Sequence, residues 1–157
     1  MEKRTFLLAA LLTLTSCLQA GDVSNSTAPK DKKTNMVQYA SGKILYSLCG
    51  KQAACNTSLD TEFCADKFLL LKNIDTELGV SQGLYTNFEA LMMGEIAGKL
   101  KVDKNATDMC MNAIDELDCG NQLVKRAYDR NLDNPFARMA DMIPQDQLSC
   151  QGIFKIK

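Results

Sequence analysis

The chain contains no histidine and no tryptophan. Without His it cannot build a Ser-His-Asp or Cys-His nucleophile, a His-ligated zinc site or a near-neutral imidazole acid or base, which removes most hydrolase mechanisms. Without Trp there is no indole to line a sugar cleft. Neither sign of charge is in excess, with 18 Lys and Arg against 19 Asp and Glu. No basic stripe marks either half, and a phosphate-binding surface needs clustered Lys and Arg to gain from counterion release. Nucleic acid is therefore not an expected partner. No two cysteines are spaced as CxxC, so thioredoxin-like exchange and zinc-ribbon sites lack their usual geometry. Nor does any apolar run approach the roughly 20 residues that a membrane-spanning helix needs.

What is present begins with a targeting pattern. Lys3 and Arg4 precede residues 6–14 (FLLAALLTL), in which only Thr13 is polar. A charged start followed by a short apolar middle is the layout of an export signal. The run closes Leu14-Thr15-Ser16-Cys17, with small residues between a Leu and a Cys. This resembles the lipobox of bacterial lipoprotein precursors. The resemblance covers these four residues and the run before them, and it implies cleavage before Cys17 with diacylglycerol on the Cys17 thiol. Cleavage after Ala20 by an ordinary signal peptidase is the competing reading. The resemblance further implies sorting to the outer membrane, because Leu18 rather than Asp follows the Cys. The expected organisation is a signal peptide over 1–16, a lipidated Cys and flexible tether over 17–35, and a folded domain over 36–157. The tether (18–35, LQAGDVSNSTAPKDKKTN) is polar, contains Pro29 and shows no apolar period. Loss of Glu2, Lys3 and Arg4 with the signal takes the net charge from -1 to -2.

Cysteine usage supports export independently. With Cys17 set aside, Cys49, Cys55, Cys64, Cys110, Cys119 and Cys150 remain. An even count in an oxidising compartment implies three disulfides, with the pairing open. If one straight helix carried Cys110 through Cys119, their Cα atoms would stand about 13 Å apart, beyond the roughly 7 Å a disulfide tolerates. Cys150, in a tail with little apolar content, is therefore expected to pair with Cys110 or Cys119. Loss of that bond should release residues 147–157. Three Asn-x-Ser/Thr triplets, at Asn25, Asn56 and Asn105, fit a glycosylation acceptor, a pattern expected to be idle in a bacterial chain.

The body reads as all-α: a single small domain of about five to six helices. Val37, Ala40, Ile44 and Leu48 form one stripe, and Cys64, Phe68, Leu71, Ile74 and Leu78 form a second. Thr86-Asn87-Phe88-Glu89 fits a capping box opening a stripe of Phe88, Leu91, Met92, Ile96 and Leu100. Cys110, Ala113, Ile114 and Leu117 follow, with Asn105 or Thr107 as the expected cap and Cys119-Gly120 as the end. Leu123, Val124, Ala127 and Tyr128 indicate a short helix. Asn134-Pro135 opens a last one, carrying Phe136, Met139 and Ile143 and closed by Pro144. No segment sustains a two-residue alternation, so sheet is at most marginal. In style the body resembles small Cys-containing envelope lipoproteins, a likeness that transfers no site.

Three chemistries can be weighed on these residues. Asp129, Asn131 and Asp133 alternate as in the first half of an EF-hand loop, but Asn134 and Ala140 stand where the pattern needs Gly and Glu. Asp103, Asn105 and Asp108 have neither the spacing nor a closing acid. Met92-Met93, Met109-x-Met111 and Met139-x-x-Met142 could hold Cu(I) through thioethers, although Met also fills helical cores. A carboxylate-only hydrolase would draw on Glu62, Glu77, Glu89, Glu95 or Glu116. None carries a recognisable catalytic motif. The expectation is thus no catalytic residue, no metal and no cofactor. The leading reading is a lipid-anchored, non-enzymatic module that binds an envelope protein, a peptide or a small ligand; a cell-wall hydrolase and a Met-based copper carrier are the alternatives.

Overall fold

The structure, a computed structural model, describes residues 33, 35–80, 83–145 and 150–157. The signal peptide, Cys17 and all of the tether but Lys33 and Asn35 lie outside the described residues. Helix α1 (Ala40–Cys55) is the longest element and the hub. Ala40, Ile44, Leu45, Leu48 and Cys49 recur at helical spacing and are buried on one side of it. Helices α2 (Thr61–Phe68), α4 (Phe88–Ile96), α5 (Lys104–Asp115) and α6 (Gln122–Ala127) pack around it. Close approach is built in at Gly42, where a Cβ would come within 2.0 Å of the Met36 carbonyl oxygen.

The stripe expected over 64–78 is two helices. Asp60 caps α2 by accepting from the Phe63 amide at 2.8 Å. The chain then breaks at Asn73, which adopts φ 72° and opens the four-residue α3 (Ile74–Glu77). The break is stitched to the following segment, because Ile74 N donates to Thr86 O at 3.1 Å and Glu89 N to Leu69 O at 3.3 Å. Phe68 and Phe88 meet edge to face at 5.3 Å beneath it.

Helix α4 starts one residue later than the capping box predicts. Asn87, not Thr86, is the cap, accepting from Ala90 N at 2.8 Å, while Glu89 is exposed in the first turn. Asn outranks Thr at this position, and the Thr86 carbonyl is already engaged with Ile74. The helix closes in a Schellman turn: Gly98 N donates to Glu95 O at 3.0 Å and Lys99 N to Gly94 O at 2.9 Å, with Gly98 at φ 65°. Ile96 is consequently exposed, and Leu100, expected on the helix, begins a strand.

The described residues are mostly helical, as expected, with one small strand pair beside the helices. Strand β1 (Leu100–Val102) pairs antiparallel with β2 (Phe154–Ile156), in the register Leu100 to Ile156, Lys101 to Lys155 and Val102 to Phe154. At three residues each, the strands are too short to show an alternation. Opposed lysines are unfavourable, and burial of Leu100, Ile153 and Phe154 offsets them. The C-terminal segment is therefore part of the core, contrary to its reading as a tail.

Asp103 caps α5 through Ala106 N at 3.1 Å, in place of Asn105 or Thr107. The helix stops at Asp115, before Cys119, so no single helix links Cys110 to Cys119. Asn121 caps α6, which buries Val124 and Ala127 and leaves Leu123 exposed. The expected last helix is instead a run of tight turns ending in the 3-10 turn Met139–Met142. Its backbone bonds, Ala137 to Asn134, Met139 to Phe136 and Ile143 to Ala140, all span three residues. That period aligns Phe136, Met139 and Met142 on the core. Gln52 of α1 ties this region down, donating through Nε2 to Val124 O at 2.6 Å and to the Met142 sulfur at 3.0 Å.

Three disulfides join these parts: Cys49 to Cys64, Cys55 to Cys119 and Cys110 to Cys150, closing separations of 15, 64 and 40 residues. Replacing Cys110 and Cys150 together by Ala should cost about 3–4 kcal/mol through the unfolded chain. Because Ile153 and Phe154 are buried and β2 is paired, 150–157 should stay protease-resistant in the folded variant, contrary to the release expected above. Denaturant titration and limited proteolysis check the two halves of this expectation.

Candidate functional site

The five Glu candidates serve different places. Glu95 reaches from α4 to the start of α1, where its oxygens accept from Ala40 N and Ser41 N, both at 2.9 Å, and from the Ser41 hydroxyl. Tyr39, at the cap position of α1, offers no side-chain acceptor, so the carboxylate of a remote helix supplies it. Burial raises the Glu77 carboxyl above its ordinary range, and the charge of Asp141 pushes the same way. A hydrogen bond from Gln145 Nε2 to Glu77 Oε2, at 2.6 Å, opposes both. Glu62 helps raise the Tyr46 phenol, where burial is the larger cause. Glu89 and Glu116 are exposed.

In the loop at 129–134, Asp129 and Asn134 spend a side-chain oxygen on the loop itself. Asp129 Oδ1 accepts from Asn131 N at 2.9 Å and from Asn131 Nδ2 at 3.0 Å, and Asn134 Oδ1 accepts from Phe136 N at 3.1 Å. These are turn contacts of Asx type. Asp103 is likewise used as a helix cap. Among the described residues no group of three or more His, Cys, Asp or Glu could hold a metal ion. Met139 and Met142 are buried in the core, whereas Met93 and Met109 are exposed on α4 and α5. Each of the six body cysteines is in a disulfide.

Two surface cavities were not foreseen. One, of about 430 Å³, is lined by Phe63, Lys67, Tyr128, Asp133, Pro135 and Phe136 among others. Phe136 stacks obliquely with Tyr128 at 5.1 Å and with Phe63 at 6.0 Å, and the Lys67 ammonium lies 5.6 Å from the Phe63 ring centre. Ring spacing along the sequence, 63 against 128 and 136, hides this grouping. The other cavity, of about 500 Å³, sits around the break between α2 and α4 and is lined by Asn73, Asp75, Thr76, Val80, Gly83 and Thr86. Asp75, in α3, is buried. The clustering of Asn73, Gly79 and Gly83 around Asp75 and Glu77 is the signal that could have drawn attention to it. Asn73 and the two glycines all adopt positive φ.

Removing the Glu95 acceptor should matter more than removing any exposed Glu. Glu95→Ala is expected to cost about 2–3 kcal/mol in urea unfolding with disulfides intact, against little change for Glu89→Gln or Glu116→Gln. Glu77 should show a pH signature. Its raised carboxyl means that the folded state holds more protons than the unfolded one between the two titrations, so stability falls as pH rises through that window. Glu77→Gln should therefore raise the unfolding midpoint slightly at neutral pH and lose that advantage below the carboxylate range, as a thermal series against pH would record. Comparison of the chain with protein-family models, with curated proteins and with solved structures finds no match.

Proposed function

We propose that this chain is a lipid-anchored binding module of the bacterial cell envelope. It is exported by the segment 1–16, acylated at Cys17 and carried on the tether 17–35, with the domain 36–157 on the oxidising side of a membrane, the outer membrane being the favoured location. The observation that carries the reading is that all six cysteines of the body are joined in pairs. Such a framework belongs to an oxidising compartment, and it agrees with the export pattern read in residues 3–17. Among the described residues no helix is long and apolar enough to cross a membrane. The non-enzymatic part of the proposal is supported by what the polar side chains do. Glu95, Asp103, Asp129 and Asn134 are engaged in caps and turns. The partner is an envelope protein, a peptide or a small ligand.

One observation favours a second reading, a small cell-wall hydrolase. Glu77 is raised and faces the charge of Asp141, which is how an acid and its companion carboxylate are set apart. A zymogram on peptidoglycan separates the readings: no clearing is expected, and clearing that disappears in Glu77→Gln would establish the hydrolase.

Anchoring is tested by Cys17→Ser. Wild-type protein should fractionate with membranes and carry lipid in its mass, while the variant accumulates as the larger precursor. Wild type found soluble, together with a Ser variant cut after Ala20 at the normal rate, overturns the anchor.

A further inference from the structure

Asp75 is buried, and no side chain among the described residues answers its charge. Only 6% of its surface is exposed, and its carboxylate enters no hydrogen bond or ion pair among the described residues. Every buried side-chain nitrogen or oxygen that is closed to solvent has a partner among those residues. The Asp75 oxygens are therefore the part of the residue that remains reachable, and the space they reach is the cavity of about 500 Å³ that Asp75 lines. A carboxylate so placed is costly unless a cation or hydrogen-bond donors meet it.

The rest of the lining has matching polarity. Asn73, Thr76 and Thr86 bring an amide and two hydroxyls, and Val80 brings an apolar wall. No Lys or Arg lines the cavity among the described residues. Asn73 holds φ 72°, a conformation that non-glycine residues adopt at a cost. Gly83 holds φ 67° and a Cβ there would meet nothing within 4 Å, so the rim is left bare at that point.

We infer that this cavity binds a small organic cation, a molecule bearing a primary ammonium or guanidinium group whose charged head pairs with Asp75. Asn73, Thr76 and Thr86 receive its remaining N–H groups or neighbouring hydroxyls. The volume falls in the range of roughly 300–1,000 Å³ typical of small-molecule sites. A divalent metal fits less well, since calcium and magnesium collect several oxygen ligands and the cavity offers one carboxylate. The inference rests on reading the domain as a binding module and supplies the class of its ligand.

The test is calorimetric titration of the full lipidated chain in detergent with D-glucosamine and agmatine, using N-acetylglucosamine as the uncharged control. At least one cationic probe should bind and the control should not. Asp75→Asn should weaken that binding tenfold or more without lowering the unfolding midpoint, because it removes a buried charge while keeping shape. Thr76→Trp, at an exposed position on the cavity, should block it as well; should Asp75→Asn fail to fold, this variant decides, and undiminished binding overturns the inference. So do equal binding of glucosamine and its acetylated form, no binding of either cationic probe at millimolar concentration, and Asp75-dependent binding of calcium alone. Failure of the anchor shows in fractionation and failure of the binding-module reading in the zymogram, so neither is confused with a negative titration.

Discussion

Helix α1 begins at Ala40 because Glu95, 55 positions further along, holds its first amides. Four of the described helices are capped locally, by Asp60, Asn87, Asp103 and Asn121. The longest is not, since Tyr39 lends no acceptor. Two N–H groups and the hydroxyl of the buried Ala40–Ser41 pair would otherwise lack this acceptor, and a negative charge there also answers the helix dipole. One consequence is positional: α4 must cross the start of α1. The Schellman turn at Gly98 then follows immediately after Glu95 and aims the chain into β1, which in turn receives β2. A single carboxylate thereby links the hub helix, the strand pair and the C-terminus.

The elements that could be read from the sequence are those whose signals are local. The α1 stripe of Ala40, Ile44 and Leu48, the Cys110 and Ile114 face of α5 and the short α6 all occur where periodicity places them. What escaped were the points where two local signals compete or where the determinant is remote. Thr86 and Asn87 both offer a cap, and the choice was made by the Thr86 carbonyl bonding to Ile74, a contact the sequence does not display. The apolar spacing of 64–78 runs straight through Asn73, yet the backbone turns there because both sides of the break are held to 86–89. Between Phe136 and Ile143 the residues at intervals of three and four fit an α-helix and a chain of three-residue turns almost equally well, and packing of Phe136, Met139 and Met142 decided for the tighter form. Strands of three residues lie below the length at which alternation can be recognised at all.

The candidate site was less legible than the fold. Attention to Glu followed from the demands of carboxylate hydrolases, and it passed over Asp75, which in sequence is one polar residue beside Ile74. Its distinction is not chemical type but environment: burial without a side-chain partner among the described residues, a property that exists only after Asn73, Gly79 and Gly83 have bent the backbone around it. The aromatic cavity was hidden for a similar reason, because Phe63 comes to Tyr128 and Phe136 through the packing of α2 against a segment about 70 residues away. In the two polar motifs that did stand out, at 129–134 and 103–108, the leading residues Asp129 and Asp103 serve a turn and a cap, each accepting from the adjacent backbone.

The disulfide framework has a bearing on the Asp75 cavity that goes beyond general stability. Cys49 to Cys64 fixes α2 on the hub, upstream of the break, while α4 is fixed by Glu95 and Phe88, downstream of it. The short α3 between them has four residues, too few to be stable as an isolated helix, and it persists because its ends are bonded to neighbours and Ile74 and Leu78 are buried. Its far side rests on the C-terminal segment: a Cβ on Gly79 would lie 3.4 Å from the Gln151 side chain. Gln151 follows Cys150, whose bond to Cys110 anchors that segment to α5. The cavity wall at Gly79 is thus held against a residue adjacent to a covalent cross-link. The same segment is held a second time by the pairing of β2 with β1 and the burial of Ile153 and Phe154, so the wall behind α3 rests on both a covalent and a packed support.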